Sequence, residues 1–480
     1  MPGADEFECL NLNISVPRLP IESQGASGLP VMVFIHGGAF AYSMGSSPIY
    51  DGRLIASSSD EVLSSPTIVV TLNYRLGVYG FLAGTDLRTY NEEHGETGVG
   101  NYGIWDQVIA LRWIQKHISA FGGDPAKVTL FGQSAGGISV HCHLLRNEPL
   151  FSSAILQSGM NPLLAVNSVD EYQTIYENML THLGISLDAA PEDRVKNLLS
   201  VPAEELTKAM IPAFIIPVIS MPVCDDKVII SQGMSKFSED PSTFQAPEWC
   251  PRIMIGDCRN EGIIFNKSWS NMSEKGIIEP DSDVCNPSPQ LVIKRLSEVL
   301  GESKAAKIAD LYSLSKDSSP KDIFDGLERL STHGLFTIDI YLATLSAAAA
   351  SSTVYAWHFD VPSPFENAWN GLAHHSLDNV LLWGVLRHKL PEAHKTAGDL
   401  MVEGWVKFAN GEEPWERFSK QERWMIFGLE GCKMASREED DSWGYSIWEE
   451  LRKNNLVQDM SLLSQELCLR REELLGHHNL

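Results

Sequence analysis

The sequence predicts an α/β fold, a mostly parallel central sheet covered by helices and carrying helical cap insertions. Three observations lead there. Short apolar runs end in glycine or polar turns, a stretch of helical periodicity lies between two of those runs, and 480 residues suffice for a large buried core. At roughly 150 residues per domain the length alone would suggest about three domains, but large α/β folds exceed that prior as one unit. Residues 1–480 are therefore read as a single domain, with a cap-like insertion over about 161–250.

The apolar runs are PVMVFIHGG at 30–38, TIVVTLNYR at 67–75, KVTLFGQS at 127–134, SAILQSG at 153–159 and RIMIGD at 252–257. Because they are continuous rather than alternating, they suit strands buried on both faces, as in a parallel sheet. Between the second and third, Ile104, Val108, Leu111 and Ile118 recur at helical spacing, and Gly122-Gly123-Asp124-Pro125 stops the pattern. Strand, helix, glycine stop and strand make a βαβ unit. From about 161 to 250, helical patterns such as VDEYQTIYENMLTHLGI alternate with proline-bearing segments, which reads as a helical cap. A second helix-rich stretch covers 289–350, with SAAAASS at 346–352 expected to be a tightly packed helix, and REEDD at 437–441 is expected to be a solvated loop.

Composition excludes several function classes. Thirty-seven basic against sixty-two acidic residues give a net charge of −25, which argues against a nucleic-acid or anionic-membrane partner. No run approaches the ~18 apolar residues that span a bilayer, so no transmembrane segment is expected. The opening MPGADEFECLNLNISVP lacks a basic region followed by an apolar stretch, hence no signal peptide is read in it. That points to the cytoplasm by default, or to secretion if an upstream start has been lost. Eight cysteines without CxxC spacing argue against a disulfide scaffold or a zinc site, Cys250 and Cys258 being the nearest pair. Asn13, Asn266 and Asn271 match N-x-S/T, a pattern that matters only in a secreted protein.

The chemistry centres on Gly132-Gln133-Ser134-Ala135-Gly136, a G-x-S-x-G segment placed after a predicted strand and before a helix. In that context the turn lifts a serine hydroxyl above the sheet. A serine hydroxyl is a weak nucleophile at neutral pH, so it needs a base, an orienting acid and donors for the oxyanion. The donors are sought in His36-Gly37-Gly38-Ala39-Phe40, where Gly37 and Gly38 would offer backbone N–H groups alongside that of Ala135. His141 and His143 flank Cys142 after the serine, but i, i+2 spacing does not share one helical face, so packing is favoured over metal binding. His477 and His478 belong to a frayed terminus.

FECLNLNISVP, VFIHGGAF, TLNYRLGVYGFL, GNYGIWDQVIALRWIQKHISAFGGDPAKVTLFGQSAGG and AILQSG together resemble type-B carboxylesterases and lipases, the cholinesterase-like group, closest in look to fungal members. The resemblance is dense from about residue 7 to 160 and thins to landmarks such as MPVCDDKVI at 221–229 and YAWHFD at 355–360. It implies an α/β-hydrolase fold and a triad in the order serine, acid, histidine. Glu261 in IGDCRNEGIIF matches the family's acid, with Asp257 the competing carboxylate. In GLAHHSLDNVLLWG, His375-Ser376-Leu377-Asp378 matches the family's histidine, two residues and carboxylate, which makes His375 the base and His374 its neighbour. The implied reaction is ester hydrolysis through an acyl-enzyme on Ser134, needing no metal or organic cofactor, on a small to medium apolar ester.

The chain departs from the family at three places. Gln133 stands where many relatives have glutamate, and Met160 where many have serine after the QSG turn. Both changes make the field near the serine less negative, so an altered rate or pH dependence is expected. The family's segment before Glu8-Cys9-Leu10 has no counterpart, which implies a shortened N-terminus, a missing part of the pocket wall and the loss of the upstream cysteine that commonly pairs with the counterpart of Cys9; the tryptophan that binds choline in cholinesterases belongs to that segment. Two competing readings follow: a catalytically impaired shortened paralogue, and a non-catalytic binding protein on the same fold. The second is disfavoured because such proteins typically lose the nucleophile, whereas this chain has a residue for every role in the triad.

Overall fold

In the computed structural model the described residues are 8–18, 28–96, 98–146, 148–160, 168–213, 221–225, 240–272, 287–350, 352–419 and 421–469. They contain a nine-stranded sheet in the order β1-β3-β2-β4-β5-β6-β7-β8-β9. The strands are β1 (Leu12–Ser15), β2 (Leu29–Ile35), β3 (Ile68–Leu72), β4 (Gly123–Gln133), β5 (Ser153–Gln157), β6 (Arg252–Cys258), β7 (Thr353–Phe359), β8 (Arg423–Gly428) and β9 (Gly431–Ser436). The seven inner strands run parallel, while β1 and β9 lie antiparallel at the two edges. All five apolar runs become inner strands, and YAWHFD falls on β7 and the residue after it.

The continuous apolar runs follow from burial on both faces. In β2, Val31, Val33 and Ile35 join one core while Met32 and Phe34 join the other, all without exposure. The same division recurs in β7, where Val354 and Ala356 face one side and Tyr355 and Trp357 the opposite one. Helix Tyr102–His117 buries Ile104, Val108 and Leu111 against the first core. The second core is closed by helices Leu377–Trp383 and Glu392–Ala409, which contribute Trp383 and Trp405.

Three details differ from the sequence reading. Only Gly122, at φ 86°, acts as the stop after the helix; Gly123 already pairs with Leu29, so β4 begins immediately. Strands β1, β7, β8 and β9 are additional: the edge strands β1 and β9 are mostly half-exposed or exposed and have no continuous apolar run to mark them. The alanine run ends helix Ile338–Ala349 with only Ala347 buried, whereas the tight packing lies in the preceding stretch from Ile338 to Thr344. Elsewhere Asn266 is buried at 2 % exposure, so this N-x-S match cannot accept a glycan. Cys250 and Cys258 are separate buried thiols.

In the 161–250 region the described residues hold helices Val169–His182, Pro191–Leu199 and Ala203–Ala213. Val223 is clamped to the main body by Asn101, whose side chain donates to its carbonyl at 2.6 Å and accepts from its N–H at 2.8 Å. Cys285, His477 and His478 lie outside the described residues. No described helix is long and apolar enough to cross a membrane.

The turn after β4 depends on bare glycine. A Cβ on Gly136 would fall 2.0 Å from the carbonyl oxygen of Ile35 in β2, and one on Gly132 would fall 2.4 Å from Gly136. Gly136→Ala is expected to destabilise by about 3 kcal/mol or more, because the obstacle is sheet backbone. Gly411→Ala, at φ 79° with nothing within 4 Å, is expected to cost only about 1 to 2 kcal/mol of backbone strain. Denaturant unfolding of the two variants measures the difference.

Candidate active site

Parallel strands place all their carboxyl ends on one edge, where ligands of open α/β sheets bind. From that edge β2 leads into His36-Gly37-Gly38, β4 into Ser134, β5 into Ser158, and β6 into Arg259-Asn260-Glu261. Residues far apart in sequence thereby meet.

Ser134 has φ 57° and ψ −125°, a strained conformation for a residue with a side chain, and helix Ala135–Leu145 begins directly after it. The strain is held by neighbours: its N–H donates to Gln157 at 2.8 Å and its carbonyl accepts from Ile138 at 2.9 Å. It is the only residue from 131 to 140 that is not buried. The helix directs its positive end toward the hydroxyl, which favours negative charge there.

The loop after β2 lies against this turn. A Cβ on Gly37 would sit 3.0 Å from Ser134 Cβ, so glycine is what permits the approach. The backbone hydrogen bonds of the described turns leave the N–H groups of Gly37, Gly38 and Ala135 unused. His36 braces the loop: its ring stacks on Tyr74 at 4.4 Å, its Nδ1 lies 2.8 Å from the Gly37 carbonyl, and its own carbonyl accepts from the Tyr74 hydroxyl at 2.9 Å. Burial pushes the His36 imidazole down to about 4, so it is neutral at physiological pH and donates from Nδ1.

The structure brings Glu261 and His375 together, with 2.5 Å between Oε2 and Nδ1. Glu261 is fully buried and its other oxygen accepts from the Cys258 N–H at 2.7 Å. Both oxygens are thus satisfied, which offsets the cost of burying the charge. The loops carrying the pair are tied together by Asn260, whose N–H donates to Ala373 at 3.0 Å and whose side-chain oxygen accepts from Ala373 at 3.1 Å. His374 turns away, its Nδ1 2.9 Å from the His375 carbonyl.

Asp257 forms a different pair. Its Oδ1 lies 2.5 Å from His358 Nδ1, and His358 Nε2 is 2.8 Å from the Tyr445 hydroxyl. The His358 ring is stacked between Trp424 at 4.2 Å and Trp443 at 3.9 Å. Burial raises the Asp257 carboxyl and lowers the His358 imidazole, favouring the uncharged form of each. With no exposure at either residue, this is a structural pair rather than a reactive one. His141 and His143 are likewise buried packing residues, His143 bonding Gln107 at 2.9 Å.

Several site residues carry no motif of their own. Gln133 Nε2 lies 3.2 Å from His375 Nε2, and Asn379 donates to Gln133 Oε1 at 3.4 Å. Asp378, three residues after the histidine, accepts from Gln157 at 2.9 Å, and Gln157 in turn accepts from the Trp405 indole. Burial pushes Asp378 up to about 6 against the effect of Gln157. Behind Glu261, Glu328 accepts from Thr332 at 2.8 Å and from Asn260 at 3.3 Å. Asn260 sits beside the acid in sequence and could have been singled out; Glu328 lies 67 positions on, within the helix Pro320–Thr332, and has no local signal.

A parallel sheet with antiparallel edges and a strained serine at a strand-to-helix turn defines the α/β-hydrolase fold. The model of the carboxylesterase family matches residues 4–444. Among curated proteins, the para-nitrobenzyl esterase of Bacillus subtilis is 32% identical over 422 residues, covering 85% of this chain and 75% of its own. The cocaine esterase of Oryctolagus cuniculus is 42% identical over 176 residues, 36% of this chain and 29% of its own. Among solved structures, a Geobacillus stearothermophilus carboxylesterase superposes with a TM-score of 0.70 at 27% identity, covering 92% of this chain and 85% of that one. This protein belongs to the carboxylesterase family and is a carboxylic ester hydrolase.

Burial pushes Glu328 up to about 7, with the Thr332 and Asn260 hydrogen bonds acting in the opposite direction. A carboxyl raised on folding stabilises fully below its unfolded value and loses that contribution as pH rises through about 7. Glu328→Gln, which mimics the neutral acid, is therefore expected to be stabilised relative to wild type at pH 8 by on the order of 2 kcal/mol more than at pH 5. Chemical denaturation at the two pH values tests this.

Proposed function

We propose that the chain hydrolyses small to medium, largely apolar carboxylic esters through an acyl-enzyme on Ser134. The observation that carries this reading is the 2.5 Å Glu261–His375 hydrogen bond at the sheet edge that also bears the strained Ser134. Glu261 accepts from Nδ1–H and so fixes the tautomer that leaves Nε2 as the base. Ser134 Oγ adds to the ester carbonyl as its proton passes to His375 Nε2. The oxyanion is then stabilised by the N–H groups of Gly37, Gly38 and Ala135. The imidazolium returns the proton to the departing alkoxide, and water repeats the sequence on the acyl-enzyme to release the acid. No step calls for a metal or an organic cofactor.

The substrate class rests on the company the chain keeps. Its relatives carry names as different as para-nitrobenzyl esterase, lipase and cocaine esterase, and from that range we infer a small to medium, largely apolar ester. The helices of the 161–250 region are assigned the role of cap, shaping the entrance over a rigid sheet.

Ser134→Ala is expected to lower turnover of short-chain aryl esters by roughly 10⁴-fold or more, and to abolish covalent labelling by an organophosphonate. Equal hydrolysis by wild type and variant would remove Ser134 from the mechanism. The assignment of the acid has its own test: Glu261→Gln is expected to reduce kcat by roughly 10² to 10⁴ through loss of the correct tautomer. Folded Asp257→Asn should still label with the organophosphonate; the reverse pattern would exchange the two carboxylates.

A further inference from the structure

With Nδ1–H donated to Glu261, the neutral His375 ring presents a lone pair at Nε2. What faces that lone pair is the side-chain nitrogen of Gln133 at 3.2 Å. Two nitrogens can share a hydrogen bond only if one donates, so the carboxamide N–H donates to the imidazole. That orientation agrees with the carboxamide oxygen accepting from Asn379 Nδ2 at 3.4 Å. That same oxygen would lie 2.9 Å from a Cβ on Gly37, which places the carboxamide between the oxyanion loop and the base. Ser134 Oγ, by contrast, makes no hydrogen bond among the described residues, to His375 or to any other group.

We propose that Gln133 is a positioning residue that holds the base in the resting enzyme: its carboxamide occupies the His375 lone pair and must release it before Ser134 can transfer its proton. This rests on the triad reading given above. Transfer breaks the Oγ–H bond, forms Nε2–H, and leaves the Gln133 N–H opposite a nitrogen that no longer accepts. Asn379, on the next helix, already reaches the Gln133 carboxamide. Asn379 Oδ1 and Asp378 Oδ1 are buried on the helix following the histidine and have no hydrogen-bond partner. Rotation of the carboxamide toward that helix would satisfy one of them and free Nε2. The charged and titratable groups around His375 are Glu261 from the β6 loop, Glu328 behind it, His374 beside it and Asp378 one turn on; the Phe336 ring, 5.2 Å away, closes the remaining side without charge.

Two substitutions separate the hold from mere scaffolding. Gln133→Met keeps the length and removes the donor. Gln133→Glu removes the donor and adds a charge that favours the imidazolium. The expected result for Gln133→Met is a roughly fivefold faster organophosphonate labelling of Ser134 and an acidic limb of kcat/KM that moves up by about 0.5 to 1 in pH, the size of one neutral hydrogen bond. Gln133→Glu should move the limb further in the same direction. An acidic limb unmoved in Gln133→Met, whatever happens to the rate and whatever Gln133→Glu does, would overturn the proposal. If neither variant folds, the ¹⁵N shift of His375 Nε2 in selectively labelled wild type decides: a shift typical of an accepting nitrogen supports the hold, and one typical of a free nitrogen refutes it. Ser134→Ala run in parallel keeps the two readings apart. Retained activity there sinks the triad itself, whereas a dead Ser134→Ala beside an unmoved Gln133 limb sinks only the hold.

Discussion

At the carboxyl edge of the sheet, Gly136 sits so close to the carbonyl of Ile35 that one added carbon would fall 2.0 Å from its oxygen. That approach of backbone to backbone sets the direction in which the chain leaves β4, and with it the strained φ and ψ of Ser134. It also brings the loop after β2 against the serine, so that Gly37 and Ser134 are neighbours. Strain at one residue is maintained because everything around it is fixed: the sheet on one side, the helix on the other, and Gln157 accepting the serine N–H.

Around this turn the molecule buries several ionisable groups, and each is made tolerable in a different way. Glu261 is held by two donors, Glu328 by Thr332 and Asn260, and Asp378 by Gln157. Burial moves Glu328 and Asp378 toward neutrality near physiological pH, while His36 gives up its charge entirely. Of these carboxyls, Glu261 is the one that bonds His375. Asp257, four residues earlier on β6, is directed instead to His358 and closed off between two indole rings. The reason is position: Asp257 is fixed within β6, whereas Glu261 lies three residues past the end of the strand, in the loop at the carboxyl edge where His375 arrives.

Much of this was legible in the residues. Continuous apolar runs mark β2 to β6 because those strands are covered on both faces; β1 and β9, half-covered at the edges, leave no such trace. Ser134, Gly37, Gly38 and Ala135 are announced by glycines that the local backbone requires. Glu261 and His375 were read from motif context, and the fold brings them to within hydrogen-bonding distance. Gln133 stood out in sequence as an uncharged residue beside the serine, but its contact with Nε2 joins residues 242 positions apart. No local pattern encodes such a pairing. Glu328 was illegible for the same reason, and Asp378, read only as part of the histidine's motif, gave no local sign of its burial, since both depend on helices arriving from elsewhere.

The sequence by itself determined the chemistry available: a serine in a glycine-flanked turn, a histidine, a choice of two carboxylates, and a family whose members hydrolyse carboxylic esters. Local backbone preference and apolar periodicity act over a few residues, and so they are written in order along the chain. Tertiary structure decided which carboxylate meets the histidine, which buried acids are shifted toward neutrality, and which amide lies against the imidazole. Those outcomes depend on desolvation and on distances between strands and helices brought together by packing, quantities that exist only once the sheet has closed its two cores.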